Sequence, residues 1–252
     1  MISWSDLDRE ISYWAAQNRT VTLWWRDDDA TVHNGKLDRL LAMAAAFHLP
    51  VALAVIPYYS KGSLARRLAH AENVFSLQHG FAHANHASIG LLNDEYGPER
   101  TLRKRICELV TGRQLLENWP NFIPVFVPPW NRCPEDLLKS LPTIGLHGIS
   151  IWGPRRQVQP APGLQQVNVH VDIMNWQTKS FCGDDKVLTQ LLRHLRTRRL
   201  GEVDTTEPTG IMTHHTFHDE AAWTFLAELL WRTQRHPLVH WLSAKTLFTC
   251  PH

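Results

Sequence analysis

The sequence predicts an α/β fold in the form of an irregular (β/α) TIM-like barrel, and three observations carry that expectation. Short apolar runs alternate with longer amphipathic stretches, and the runs lack the apolar–polar alternation of half-solvated strands. No glycine-rich phosphate loop follows the first run, and a length of 252 residues suits a barrel better than an open doubly wound sheet.

The elements follow in order. VTLWW (21–25) is rich in β-branched and aromatic residues and reads as the first strand. KLDRLLAMAAAFH (36–48) repeats its apolar residues at helical spacing, and VALAVI (51–56) is a strand bracketed by Pro50 and Pro57. SLARRLAHA (63–71) predicts a helix, NVFSL (73–77) a strand, residues 94–119 one long helix, and FIPVFV (122–127) a strand. After Pro134 the pattern loosens into PEDLLKSLPTIG and a Pro- and Gly-rich region with short apolar segments. Regularity returns with a helix over 184–199, the strand-like TGIMTHH (209–215) and a helix over 219–236. No linker, repeat or low-complexity segment interrupts the chain, so a single domain is expected over 1–252, with its motif-bearing core at about 20–236.

Charge and cysteine content exclude several functions. Lys plus Arg (26) nearly balance Asp plus Glu (24), so no net field favours nucleic acid or an anionic membrane. The basic stretch RHLRTRR (193–199) reads as one solvated helix face. Cys107, Cys133, Cys182 and Cys250 lie far apart without a C-x-x-C pair, which argues against a thiolate zinc site or a disulfide framework and predicts buried or inert thiols. The first residues carry charges where a signal peptide needs an apolar stretch, and no window approaches the roughly 20 apolar residues of a membrane span, so a cytoplasmic chain is expected.

Fifteen His and eleven Trp stand out, and the histidines cluster beside acids. Functional side chains of barrels sit just past the C-terminal ends of strands. That rule selects Arg26, Asp27, Asp28 and Asp29, then His79, His83 and His86, then Pro129, Trp130 and Asn131, then His214 and His215. Three adjacent carboxylates repel unless a cation, a proton or solvent answers them. His79 and His83 are four apart, which one helical turn would place on the same face. Two imidazoles and a carboxylate form a common ligand set for a hydrolytic divalent ion, and a second carboxylate nearby would serve as general base. Singly, the acid run reads as well as a solvated turn and the histidine pair as packing; each supplies what the other lacks.

These residues resemble the polysaccharide deacetylases of carbohydrate esterase family four, the NodB-homology family. That family is marked by an Asp-Asp pair after its first strand, an H-[ST]-x-x-H motif, an R-P-P-[FWY] stretch, a later Asp-Trp segment and a final apolar strand ending in His. HGFAHAN stands for the second motif with Gly80 in the Ser or Thr place, FVPPWN for the third and GIMTHH for the last. The divergent WbmS-like subgroup is the closer likeness, through its R-x-D-D start, F-x-P-P-[FW]-N segment and T-H-H ending. The resemblance implies metal-dependent hydrolysis, most naturally with Zn2+, of an N- or O-acetyl group on a small-molecule or oligosaccharide substrate. It implies Asp28 as base, Asp29, His79 and His83 as metal ligands, and His214 as acid. Asp27 replaces Asp28 if the register slips by one, and His215 is the next candidate acid.

Two departures bear on activity. Val127 stands where the family's third motif has an Arg that contacts the catalytic carboxylate, leaving Arg26 or Arg132 to supply that charge. For the Asp that pairs with the catalytic His, DIMNW offers Asp172 with Trp176, while Asn175 lies nearer the Trp. Trp24 and Trp25 are expected in the core, and Trp130, Trp152 and Trp176 near the site loops, where indole faces stack on sugar rings. Two other readings stay open: hydrolysis of another small amide or ureide on the same metal site, and a carbohydrate-binding protein without catalysis.

Overall fold

The computed structural model describes residues 2–249, so Cys250 lies outside the described residues. Helix α1 (Trp4–Ala15) precedes the central strand β1 (Val21–Ala30), after which α2 (Gly35–Ala46), β2 (Val51–Val55), α3 (Gly62–Leu68) and β3 (Val74–His79) alternate. Next come α4 (Leu102–Leu116), β4 (Phe122–Val127), α5 (Glu135–Leu138) and β5 (Gly148–Ile149). The loosely patterned region holds the two-residue strands β6 (Gln165–Gln166), β7 (Val171–Asp172), β8 (Met174–Asn175) and β9 (Ser180–Phe181). The chain ends with α6 (Asp184–Leu200), β10 (Thr209–Thr213), α7 (Glu220–Gln234), β11 (Val239–Trp241) and α8 (Ala244–Thr249).

Nine of the strands form one curled parallel sheet in the order β6-β5-β4-β3-β2-β1-β10-β7, with β11 paired to the start of β1, while β8 and β9 make a separate antiparallel pair. Its two ends belong to one extended stretch. Val167 and Val169 donate their amides to the carbonyls of Ile149 and Ile151 on one side, and His170 donates to Gly210 on the other. Residues 165–173 thus join β5 to β10 and return the sheet on itself. The barrel interior is packed by Trp24, Ala52, Leu77, Val125 and Val169, and helices cover the outside over Trp25, Leu40, Leu53 and Leu226. Trp24 and Trp25 alternate to opposite faces and both are buried, as expected for strand residues.

Several boundaries differ from the sequence expectation. Strand β1 runs on through the acids to Ala30, because β10 pairs with it as far as Asp27 and β2 as far as Ala30. Helix α4 starts at Leu102, capped by Thr101, rather than at 94; Glu95 and Tyr96 are instead buried in the preceding loop. Helix α1, β11 and α8 lie outside the predicted elements. The basic stretch is not one solvated face. Arg198 is buried and donates to Thr22 and Thr209, and Arg199 pairs with Glu10, while Arg193 and Arg196 are exposed. Cys107, Cys133 and Cys182 are free thiols; Cys107 is exposed rather than buried. Among the described residues no helix is long and apolar enough to cross a membrane.

A buried polar knot fastens the closing stretch. Glu207 accepts the amides of Arg155 and Asn168 and the Nε2–H of His170, whose Nδ1 accepts the Gly210 amide. His194 stacks on His170 with ring centroids 3.4 Å apart. Burial pushes the pKa of His194 down to about 2, so it stays neutral in the fold but titrates near its usual value of about 6.5 once unfolded. The folded value lies below the unfolded one, so stability is full above about 6.5 and is lost as pH falls below it. The melting temperature should therefore drop between pH 7 and pH 4, and less steeply in His194→Asn; an unchanged slope contradicts the assignment. Gly210 sits where an added Cβ would meet the Asn168 carbonyl oxygen at 2.6 Å and the Val169 Cα at 2.7 Å. Gly210→Ala should cost about 1–3 kcal/mol by urea denaturation, the usual range for overpacking.

Candidate active site

The three acids of β1 go to three different places. Arg26 and Asp28, two apart, share the inner face, and the guanidinium grips the carboxylate with both Nε–Oδ1 and Nη2–Oδ2 at 2.8 Å. Arg26 is fully buried and also donates to Ser150 and Asn131, so its charge is fixed in place. It is Arg26 that supplies the positive charge absent at Val127, a position buried in β4.

Asp27 points to the opposite face. Its carboxylate accepts from the Thr213 hydroxyl at 2.6 Å, the His215 amide at 3.0 Å and His215 Nδ1 at 2.5 Å. Burial opposes its ionisation, but the His215 charge outweighs that and keeps its pKa low. Asp27 thus holds the chain on both sides of His214, and neither Asp27 nor His215 lines the cavity that contains the other candidates.

Strand alternation should send Asp29 to the Asp27 face. It does not, because Asp29 takes φ 67° and the β1–β2 register shifts between Asp27 and Ala30. This bulge turns a second consecutive carboxylate into the barrel mouth. There Asp29 Oδ1 lies 3.1 Å from His79 Nε2 and 3.5 Å from His83 Nε2.

His79 and His83 meet Asp29 through a loop, not through the helical turn expected from their spacing. His79 ends β3, Gly80 adopts φ 58° and His83 φ 52°. Gly80 in place of Ser or Thr has a steric reason: a Cβ there would run into the Glu95 carboxylate and would lie 2.6 Å from Pro129 Cγ. Glu95 accepts the amides of Phe81, Ala82 and Ala84, and so shapes the loop. No sequence signal marked Glu95, since a buried acid that binds only backbone leaves no side-chain pattern. His86 lies exposed beyond the loop.

The electrostatics suit a cation. Burial disfavours charge on both Asp29 and His79, yet their mutual hydrogen bond and neighbouring charges prevail, holding Asp29 well below the carboxylate range and raising His79. Burial and the His79 charge push His83 down to about 4, so it presents a neutral imidazole near pH 7. His79 Nδ1 donates to the Val127 carbonyl at 2.9 Å, which directs Nε2 at Asp29. The three donor atoms lie within 4.8 Å of one another, two nitrogens and one oxygen, which fits a divalent ion. The other grouping of this kind, His170, His194 and Glu207, does not fit: its stacked rings, 13° from parallel, cannot aim lone pairs at one point.

These groups share a cavity of about 380 Å³, lined also by Asp28, Trp130, Trp152, Asp172, Trp176 and His214. Trp130, at φ 54° after Pro129, lies 4.4 Å from His83, and Asn131 accepts from Arg26. His214 packs against the edge of Trp176 at 4.5 Å, and its Nδ1 has no partner among the described residues. Asp172, not Asn175, faces this cavity; it accepts the Trp176 indole N–H at 2.8 Å, and burial raises its pKa.

No protein-family model matches the sequence, and no curated protein matches it. Solved structures do. A Mycobacterium smegmatis protein provisionally named a polysaccharide deacetylase aligns with TM-score 0.60 and 15% identity over 89% of this chain and 87% of its own. A Streptococcus mutans family 4 carbohydrate esterase aligns with TM-score 0.55 and 14% identity over 94% and 90%. The family 4 carbohydrate esterase from Streptomyces lividans aligns with TM-score 0.53 and 17% identity over 86% and 90%. The chain therefore has the (β/α)-barrel fold of the family four deacetylases.

The Arg26–Asp28 fork yields a stability test. Arg26→Met leaves a buried carboxylate unpaired and should cost about 3–5 kcal/mol by urea denaturation, of which Arg26→Met with Asp28→Asn should recover a large part.

Proposed function

We propose that this protein is a metal-dependent deacetylase that hydrolyses an acetyl group on an amino sugar or acetylated sugar. One observation carries the reading: a carboxylate fixed by a buried arginine, Asp28, stands beside the Asp29–His79–His83 donor set in a cavity that also holds His214. Asp29, His79 and His83 would hold the ion, with Zn2+ the best match for two imidazoles and one carboxylate. When bound, such an ion supplies positive charge that polarises the acetyl carbonyl and acidifies an attacking water.

The chain's own residues then divide the proton work. Asp28 accepts the proton of the attacking water, with Arg26 holding its carboxylate in place through two hydrogen bonds. His214 delivers a proton to the leaving nitrogen or oxygen, and Trp176, anchored by Asp172, packs against the imidazole and orients it toward the substrate. Asp27 acts indirectly, by fixing Thr213 and His215 around His214. The presence of Arg26 at the carboxylate supports catalysis over a binding-only role, since the charge that Val127 cannot provide is supplied from two positions earlier on the strand that carries Asp28. The indoles at the mouth support a sugar over a small planar amide.

Acetate release from N-acetylated chitooligosaccharides and acetylated xylan by the zinc-loaded protein tests this. Asp28→Asn should lower the rate at least about 100-fold, the scale of general-base catalysis, while keeping its zinc. Asp29→Ala and His83→Ala should lose the rise in melting temperature on zinc addition. Full activity in Asp28→Asn overturns the base assignment.

A further inference from the structure

The candidate site does not end at its own cavity. Two smaller cavities adjoin it, of about 330 Å³ and about 290 Å³, and each shares an indole and Gln190 with it: Trp176 on the first side and Trp152 on the other. Trp176 and Trp152 are 45% and 43% exposed, so each offers a ring surface at a junction. Gln190 lines all three cavities and is held rigidly, accepting the Asp172 amide at 3.0 Å and donating to the Asp172 carbonyl at 3.2 Å.

Helix α6 forms the wall. Lys186, Gln190 and Arg193 follow one another at four and three residues, one face of a helix, and span about 10 Å of its axis. Lys186 lines the first flank and Arg193 the second. Both side chains are exposed, and neither enters an ion pair among the described residues. Among the described residues no carboxylate lines either flank, and the buried His194, whose Nε2 has no partner among them, lies in the lining at the Arg193 end.

We propose that the three cavities form one groove for an acidic oligosaccharide, in which Lys186 and Arg193 meet anionic groups on the two sugars that flank the deacetylated unit. The inference rests on the deacetylase reading and names its substrate class. Sugar rings lie on Trp176 and Trp152 at the junctions, and the separation of the cations along α6 suits substituents two sugars apart. The anion is a carboxylate or a phosphate, either of which accepts from an ammonium or a guanidinium.

Calorimetric binding to the zinc-loaded Asp28→Asn protein, whose turnover is slowed at least about 100-fold, tests the groove. A hexasaccharide alternating glucuronate with N-acetylglucosamine should bind about tenfold more tightly than chitohexaose at low salt, and the gap should close as salt rises. Lys186→Ala and Arg193→Ala should each cost about threefold for the acidic chain and nothing for chitohexaose. If a phosphodiester-linked N-acetylhexosamine oligomer shows the preference and the glucuronate chain does not, the anion is phosphate. Equal affinity for acidic and neutral chains, or variants that weaken both alike, overturns the proposal. That result leaves acetate release by the wild-type protein in place, whereas absent acetate release and absent zinc binding overturn the catalytic reading by themselves.

Discussion

Two adjacent carboxylates can face one cavity only if the strand that carries them breaks its alternation. Asp29 does this by adopting φ 67° at a shift in the β1–β2 register. A left-handed conformation at a residue other than glycine costs about 1–2 kcal/mol and persists only where its surroundings enforce it. Here the surroundings that hold it include polar contacts, since His79 and His83 converge on the displaced carboxylate. Without the bulge Asp29 would join Asp27 on the outer face, leaving the two imidazoles without their carboxylate. The site's other parts are arranged around this point: Arg26 neutralises Asp28 from within the same strand, and Asp27 anchors the neighbouring strand that presents His214.

The catalytic candidates were legible in the sequence because each follows a strongly apolar run, and apolar runs are where strands are easiest to read. Their division of labour was not. Asp27 and Asp28 are equivalent in the sequence, and only the pleat of β1, with Arg26 on the same face as Asp28, separates them. The same holds for His214 and His215, where Asp27 takes the second and leaves the first in the cavity. The pairing of His79 with His83 survived an incorrect local expectation: a loop bent at Gly80 and cradled by Glu95 brings them together, as a helix would have done.

What stayed hidden in the fold has one physical cause. The stretch 148–181 builds its strands two residues at a time, and their place in the sheet depends on partners outside it, such as Phe126 for Ile149 and Gly210 for His170. Local periodicity carries no trace of such contacts. Histidine content was equally ambiguous. His170 and His194 group with a carboxylate as His79 and His83 do, yet His170 spends its ring nitrogens on Glu207 and the Gly210 amide and His194 Nδ1 pairs with Thr209, in a knot that fastens the barrel. Residue type set the possibilities, and ring orientation chose between a structural and a chemical use.

The central claim is that Asp29, His79 and His83 hold one ion. Zinc anomalous scattering from crystals of the loaded protein tests it most directly. The account predicts a single strong peak with Asp29 Oδ1, His79 Nε2 and His83 Nε2 at about 2.0–2.2 Å. A peak at His170, His194 and Glu207 instead, or none between the three site residues at saturating zinc, would contradict it.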